Sequence, residues 1–129
     1  MTDNRQETLR AQLAELNQRS HWYSAQLWQL PFAYLGITGV ALASLDSATP
    51  TKYAITCFAA GVLGLLVLIH MVAVRRLEKR AIAKLSDVEK ELRLAPPEDS
   101  VVDVYPMILA TFLGMAFYFA LGVHFLGQP

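Results

Sequence analysis

The sequence predicts an all-α integral membrane protein, with three transmembrane helices and cytoplasmic amphipathic helices. Of its 129 residues 54% are hydrophobic and the mean hydropathy is +0.34, above the apolar share of an ordinary soluble domain. The apolar residues fall in three blocks from which Asp, Glu, Lys and Arg are almost wholly excluded. A soluble helix mixes the two classes so that one face can meet water; here they are separated along the chain. The remaining cations are distributed unevenly between the connecting segments, the asymmetry that orients a membrane chain. The length admits one domain, so 1–129 is read as a single membrane domain.

The first element, 3–24, reads as a cytoplasmic amphipathic helix. Asp3 with Gln6 resembles a capping box. Leu9, Leu13, Leu16 and Tyr23 fall near one face, and Glu15 with Arg19 is a favourable pair four residues apart. A cleavable signal peptide would bring its apolar core much nearer the start, so none is expected.

The first span is placed at 27–45. Phe32 to Leu45 is continuously apolar or small, and Asp46 follows at once. Gln29 and Pro31 dilute its start, and two spans with a re-entrant first block is the rival topology. A helix running through Pro31 loses the bond to the Leu27 carbonyl, which predicts a kink or a boundary there. The second span, 53–74, contains no Asp, Glu, Lys or Arg and exceeds the roughly 20 residues needed to cross a hydrocarbon core. Thr49-Pro50 reads as an N-cap with proline at the first helical position.

Residues 75–94 read as a cytoplasmic continuation of that helix. Leu77, Ala81, Leu85, Val88 and Leu92 recur at helical spacing, Glu89 pairs with Arg93, and Ser86 followed by Glu89 marks a possible break. The two cytoplasmic apolar stripes suit packing on each other as a small antiparallel coiled coil, or on neighbouring copies; lying flat on the membrane is the alternative. Leu94-Ala95-Pro96-Pro97 ends the helix and opens a linker, 95–103. The third span, 104–126, is again free of charged side chains, with Asp103 as its cap and Pro106 early enough to be tolerated.

Arg5, Arg10 and Arg19 precede the first span, and Arg75, Arg76, Lys79, Arg80, Lys84, Lys90 and Arg93 lie between the second and third. The other connection offers only Lys52, and the C-terminal residues offer no cation. The positive-inside rule therefore puts the N-terminus and the long loop in the cytoplasm and the C-terminus on the far side. The expected location is a cell membrane of the bacterial inner-membrane kind, the far side being periplasmic or extracellular. Trp22, Tyr23 and Trp28 form an expected interface belt, joined by Arg75 and Arg76, which are placed to snorkel toward anionic headgroups.

Each span carries small residues at close-packing intervals: Gly36, Gly39 and Ala43; Ala60, Gly61 and Gly64; Ala110 with Gly114 and Ala116 with Ala120. Hydrophobicity does not drive helices together in lipid, so close backbone approach matters more there. Three spans need fewer such faces than the chain has, which points to a homo-oligomer or to docking on another membrane protein.

Zero net charge argues against a nucleic-acid partner. The single cysteine, Cys57, excludes a disulfide within a monomer. His21 and His70 are the candidate functional residues, since ionisable groups in or beside a span are often functional. Structural service near headgroups or water is the competing reading. His124 lies at the opposite membrane face from His70, so the two cannot share a metal. Two histidines without a carboxylate or thiol at ligand spacing are weak evidence for a metal or haem, and no metal or cofactor is assigned. Thr38, Ser44, Thr56 and Thr111 are expected to bond back to their own helices. No midplane carboxylate supports a pump, and no catalytic constellation appears; Asp87, Glu89 and Glu91 share their helix with Lys84, Lys90 and Arg93 and read as a solvated face. The expectation is a non-enzymatic scaffold or accessory subunit whose spans and cytoplasmic helices bind copies or partners. The alternative is an oligomeric pore, or a membrane-disrupting effector, gated through the cytoplasmic helices.

Overall fold

A computed structural model describes residues 3–45, 49–92 and 104–128 of the chain. They form three helices, α1 (Asp3–Ala43), α2 (Pro50–Glu91) and α3 (Tyr105–Leu126). Two of these, α2 and α3, are long and apolar enough to cross a membrane. The apolar part of α1, interrupted by Gln29 and Pro31, falls short of that standard.

The expected segments 3–24 and 27–45 form one helix, α1, while α2 follows the expected 53–74 span and its 75–94 continuation and α3 follows 104–126. No boundary falls at Pro31: α1 runs through it without interruption. The buried and half-buried positions of α1 step by four and three through Leu9, Leu13, Leu16, Ser20, Tyr23 and Leu27, then take a second step of four to Pro31. The ring is thus packed inward, between fully buried Leu27 and Tyr34. An interior proline costs about 3 kcal/mol, and the helix runs on through it between two fully packed neighbours, Leu27 and Tyr34. The break considered near Ser86 is likewise absent, because the packed spacing continues through half-buried Leu85 and Val88.

The start of α2 follows the expected chemistry. Pro50 is its first residue, and the Thr49 carbonyl accepts the Tyr53 N–H at 3.2 Å. At α3 the N-cap position is Val104, without a side-chain cap, and Pro106 sits in the first turn. The Asp103 cap, the Asp3 side chain, Arg93 and the 95–103 linker lie outside the described residues.

The chain divides into two compact units. Among the described residues, the first comprises 3–27 and 73–92, two antiparallel helical segments. Arg5 pairs with Glu91 at 3.3 Å, and Ser24 bonds Glu78. The seam of the α2 segment is Val74, Glu78, Ala81, Leu85 and Val88, again at steps of four and three, the knobs-into-holes spacing of a coiled coil. The apolar stripes of these two segments therefore pack on each other within one chain. The phase differs from the expected one by a residue: Leu77 is 43% exposed and Glu78 only 5%.

The second unit comprises 28–45, 49–72 and 104–128. Here α2 is antiparallel to both neighbours. Tyr53 stacks on Phe125 with centroids 5.1 Å apart, and Phe58 meets Phe119 at 6.1 Å. Aromatic rings lie over glycines: an added Cβ would come within 2.9 Å of Phe119 at Gly61 and 3.1 Å of Phe58 at Gly122. Only glycine admits such approach without a shift, which explains how bulky rings fit between closely spaced helices.

Candidate functional site

Each unit has a buried polar centre, and neither was picked out by the sequence. In the first unit Glu78 sits on the α2 seam. Arg75, one turn earlier, donates through Nη1 to Glu78 Oε2, and Ser24 of α1 donates its hydroxyl to Oε1. The Arg75 and Glu78 side chains are only 14% and 6% exposed. Both carboxylate oxygens are thus engaged, as a buried charge requires. Such a group suits fixing the register of two helices better than offering an open ligand position.

Beyond this centre the first unit has a groove of about 400 Å³ lined by Gln12, Glu15, Leu16, Arg19, Lys84, Asp87 and Val88. Its charges alternate in sign, and Arg19 pairs with Glu15 as expected.

In the second unit the centre is hydroxylic. Tyr118 donates to Thr38 Oγ1 at 2.9 Å, and Thr38 donates to the Tyr34 carbonyl at 2.8 Å. The Tyr34 and Tyr118 rings meet edge to face with centroids 6.1 Å apart. Thr111 donates to the Met107 carbonyl at 2.8 Å. Thr38, Ser44 and Thr111 bond back to their own helices, as their position in apolar segments predicts, whereas Thr56 makes no such bond among the described residues. The Tyr34 hydroxyl lies over Gly64, where an added Cβ would sit 2.6 Å from it, and among the described residues it has no hydrogen-bond partner.

The expected small-residue faces separate into two groups. Ala60, Gly61 and Gly64 are buried, Gly64 against Tyr34 and Met115, and Gly114 packs on Tyr34 and Leu35. Among the described residues, Gly36 and Gly39 have nothing within 4 Å of an added Cβ, and Ala43, Ala110, Ala116 and Ala120 are exposed. Gly122, absent from the expected set, is buried against Phe58. At the expected interface Trp22, Trp28 and Arg76 are exposed and Tyr23 is half-buried, while Arg75 turns to Glu78.

His21 and His70 are exposed and belong to different units. Among the described residues, no group of three or more His, Cys, Asp or Glu side chains is arranged to hold a metal. Cys57 is free and buried on the α2 seam.

The signal for Glu78 was present in the spacing. Met71, Val74, Ala81, Leu85 and Val88 alternate at three and four residues only if position 78 belongs to the row. Counting apolar residues alone favours Leu77 and shifts the face. Tyr34, Thr38 and Tyr118 carried no comparable signal, since each is ordinary in an apolar helix. Comparison with protein-family profiles, curated proteins and solved structures returns no match to this chain.

Proposed function

We propose that this chain is an integral membrane protein whose second unit is embedded in the bilayer and crosses it three times, with the first unit and the N-terminus in the cytoplasm. The observation that carries this reading is the inverted polarity of the second unit. Its buried centre contains the hydroxyls of Thr38, Thr111 and Tyr118, while Phe32, Ile37, Ile55, Val62, Leu66, Phe112 and Phe117 are exposed. Only 33% of the apolar stretch of α2 and 17% of that of α3 is buried; a soluble core helix would be mostly buried. Exposed polar groups such as Gln29, Lys52, His70 and His124 lie toward the ends of the apolar stretches. Such a surface suits hydrocarbon and is costly in water. Support for counting α1 as a span comes from its pairing: Tyr34 lies against Gly64, and Tyr53 donates to the Leu45 carbonyl at 2.9 Å. A bilayer around α2 would therefore also enclose that part of α1.

Within this reading the protein is a non-enzymatic scaffold or accessory subunit that binds copies or a partner through its spans. Gly36 and Gly39 support the association, since among the described residues nothing packs on their surface. The pore alternative would need a polar face directed outward, and the hydroxyls described above are directed inward.

The test is alkaline extraction followed by reporter fusions at both termini. Retention in the membrane with a cytoplasmic N-terminal reporter and a far-side C-terminal reporter is expected. Release by alkali would overturn membrane integration, and two reporters on the same side would overturn three spans. Native mass spectrometry in mild detergent tests the association: a homo-oligomer or a complex with a second membrane protein is expected, and a bare monomer overturns it.

A further inference from the structure

We infer that the turn of α2 beginning at Arg76 is a binding surface for anionic phospholipid headgroups, formed because the fold withdraws the neighbouring acid. This rests on the reading of α2 as a span. Four cations and one carboxylate, Arg75, Arg76, Lys79, Arg80 and Glu78, follow the apolar stretch of α2. In an unpaired helix Glu78 would partly neutralise its neighbours. The seam instead buries it and consumes only Arg75. Arg76, Lys79 and Arg80 remain exposed, and among the described residues none of them is in an ion pair. They occupy positions i, i+3 and i+4, one face of a helix, and span only about 6 Å of its axis at 1.5 Å per residue.

The facing segment of α1 supplies the complement. With Ser24 bonded to Glu78 in an antiparallel pair, the level of Arg80 falls near Trp22. That indole is 57% exposed, with its ring centroid 5.4 Å from that of Tyr23. An exposed indole at the same level as unpaired cations is the pairing that suits a headgroup layer, where an amphipathic ring and phosphate are met at one depth. Further along the unit, Glu15, Asp87 and Glu91 mix with the cations. The positive surface is thereby confined to the end next to the apolar stretch. A nucleic acid would call for an extended basic track, whereas a leaflet needs only this collar.

The test places the full chain in nanodiscs of phosphatidylcholine mixed with phosphatidylglycerol, and counts the lipids retained by native mass spectrometry after release into mild detergent. At roughly fivefold per cation near an anionic surface, enrichment of phosphatidylglycerol should reach up to about a hundredfold. It should decline with added salt. The combined Arg76→Gln, Lys79→Gln and Arg80→Gln variant should lose it, and a control with Arg10→Gln and Lys90→Gln should keep it, both with unchanged helical circular dichroism. Equal retention of the two lipids by the unsubstituted chain, or enrichment that ignores salt, overturns the inference even if the triple variant does not fold. Failure to enter nanodiscs of either lipid composition removes the membrane reading and this inference together. Entry without preference removes this inference alone.

Discussion

Glu78 is the residue whose environment departs furthest from its chemistry, a carboxylate on the buried seam of two helices. Removing one partner of a buried ion pair strands the other, at a cost of about 3–5 kcal/mol. Glu78→Ala should therefore lower the unfolding midpoint strongly, followed by circular dichroism in detergent, and Glu78→Gln should cost less by keeping an acceptor for Ser24. Replacing Arg75 and Glu78 together by leucine should restore most of the loss, since apolar substitutes for buried pairs are often neutral or stabilising. A double replacement as damaging as Glu78→Ala would contradict this account. In the second unit, Gly64→Ala drives a methyl into the Tyr34 hydroxyl and should cost about 1–3 kcal/mol, the usual range for overpacking. Tyr34→Phe removes a buried hydroxyl without a hydrogen-bond partner, so it should be neutral or stabilising by about 1 kcal/mol. Among the described residues Gly36→Ala meets nothing, and it should be harmless to the fold.

At the level of elements, two polar contacts hold the α1 and α2 segments of the first unit in antiparallel register. They should contribute unequally. The Arg5 and Glu91 side chains are 61% and 50% exposed, and exposed pairs contribute about 0–1 kcal/mol. Arg5→Ala should therefore shift the midpoint far less than Glu78→Ala. Salt should separate them too, weakening the exposed pair and sparing the buried one. In the second unit the α2 seam can be followed through Cys57, which is fully buried. A thiol-reactive maleimide should label it slowly in mild detergent and rapidly after unfolding. Immediate labelling of the folded protein would mean that the helices around it separate readily.

The whole molecule joins two kinds of packing. The first unit is a two-helix seam with charged outer faces, and the second is a three-helix core with an apolar exterior. Two segments paired along one seam bury little, whereas embedded helices have no water to exchange their amide hydrogens. In nanodiscs, hydrogen exchange should be faster across residues 3–27 and 76–91 than across 55–72 and 107–124. Uniform exchange over all four segments would count against embedding of the second unit alone. Association belongs to this scale as well. Gly36→Leu should reduce the complex mass while leaving the monomer's midpoint intact, because among the described residues nothing packs on the position.

Much of this architecture was legible in the residues. The absence of charge from 53–74 and 104–126 locates the cores of α2 and α3, and Thr49-Pro50 marks the start of α2. These follow from local properties: transfer free energy, the missing proline N–H and the reach of a cap. The sequence by itself thus determined α2 and α3, their apolar stretches and the uneven distribution of cations between their flanks. Tertiary structure decided which way each residue turns. Pro31 lies inside a helix between packed neighbours, Glu78 rather than Leu77 faces α1, and Gly61, Gly64 and Gly122 receive side chains while Gly36 and Gly39 do not. The physical reason is phase. Successive helical residues point about 100° apart, so a shift of one position exchanges a buried group for an exposed one. That shift is set by the partner helix rather than by the residue itself.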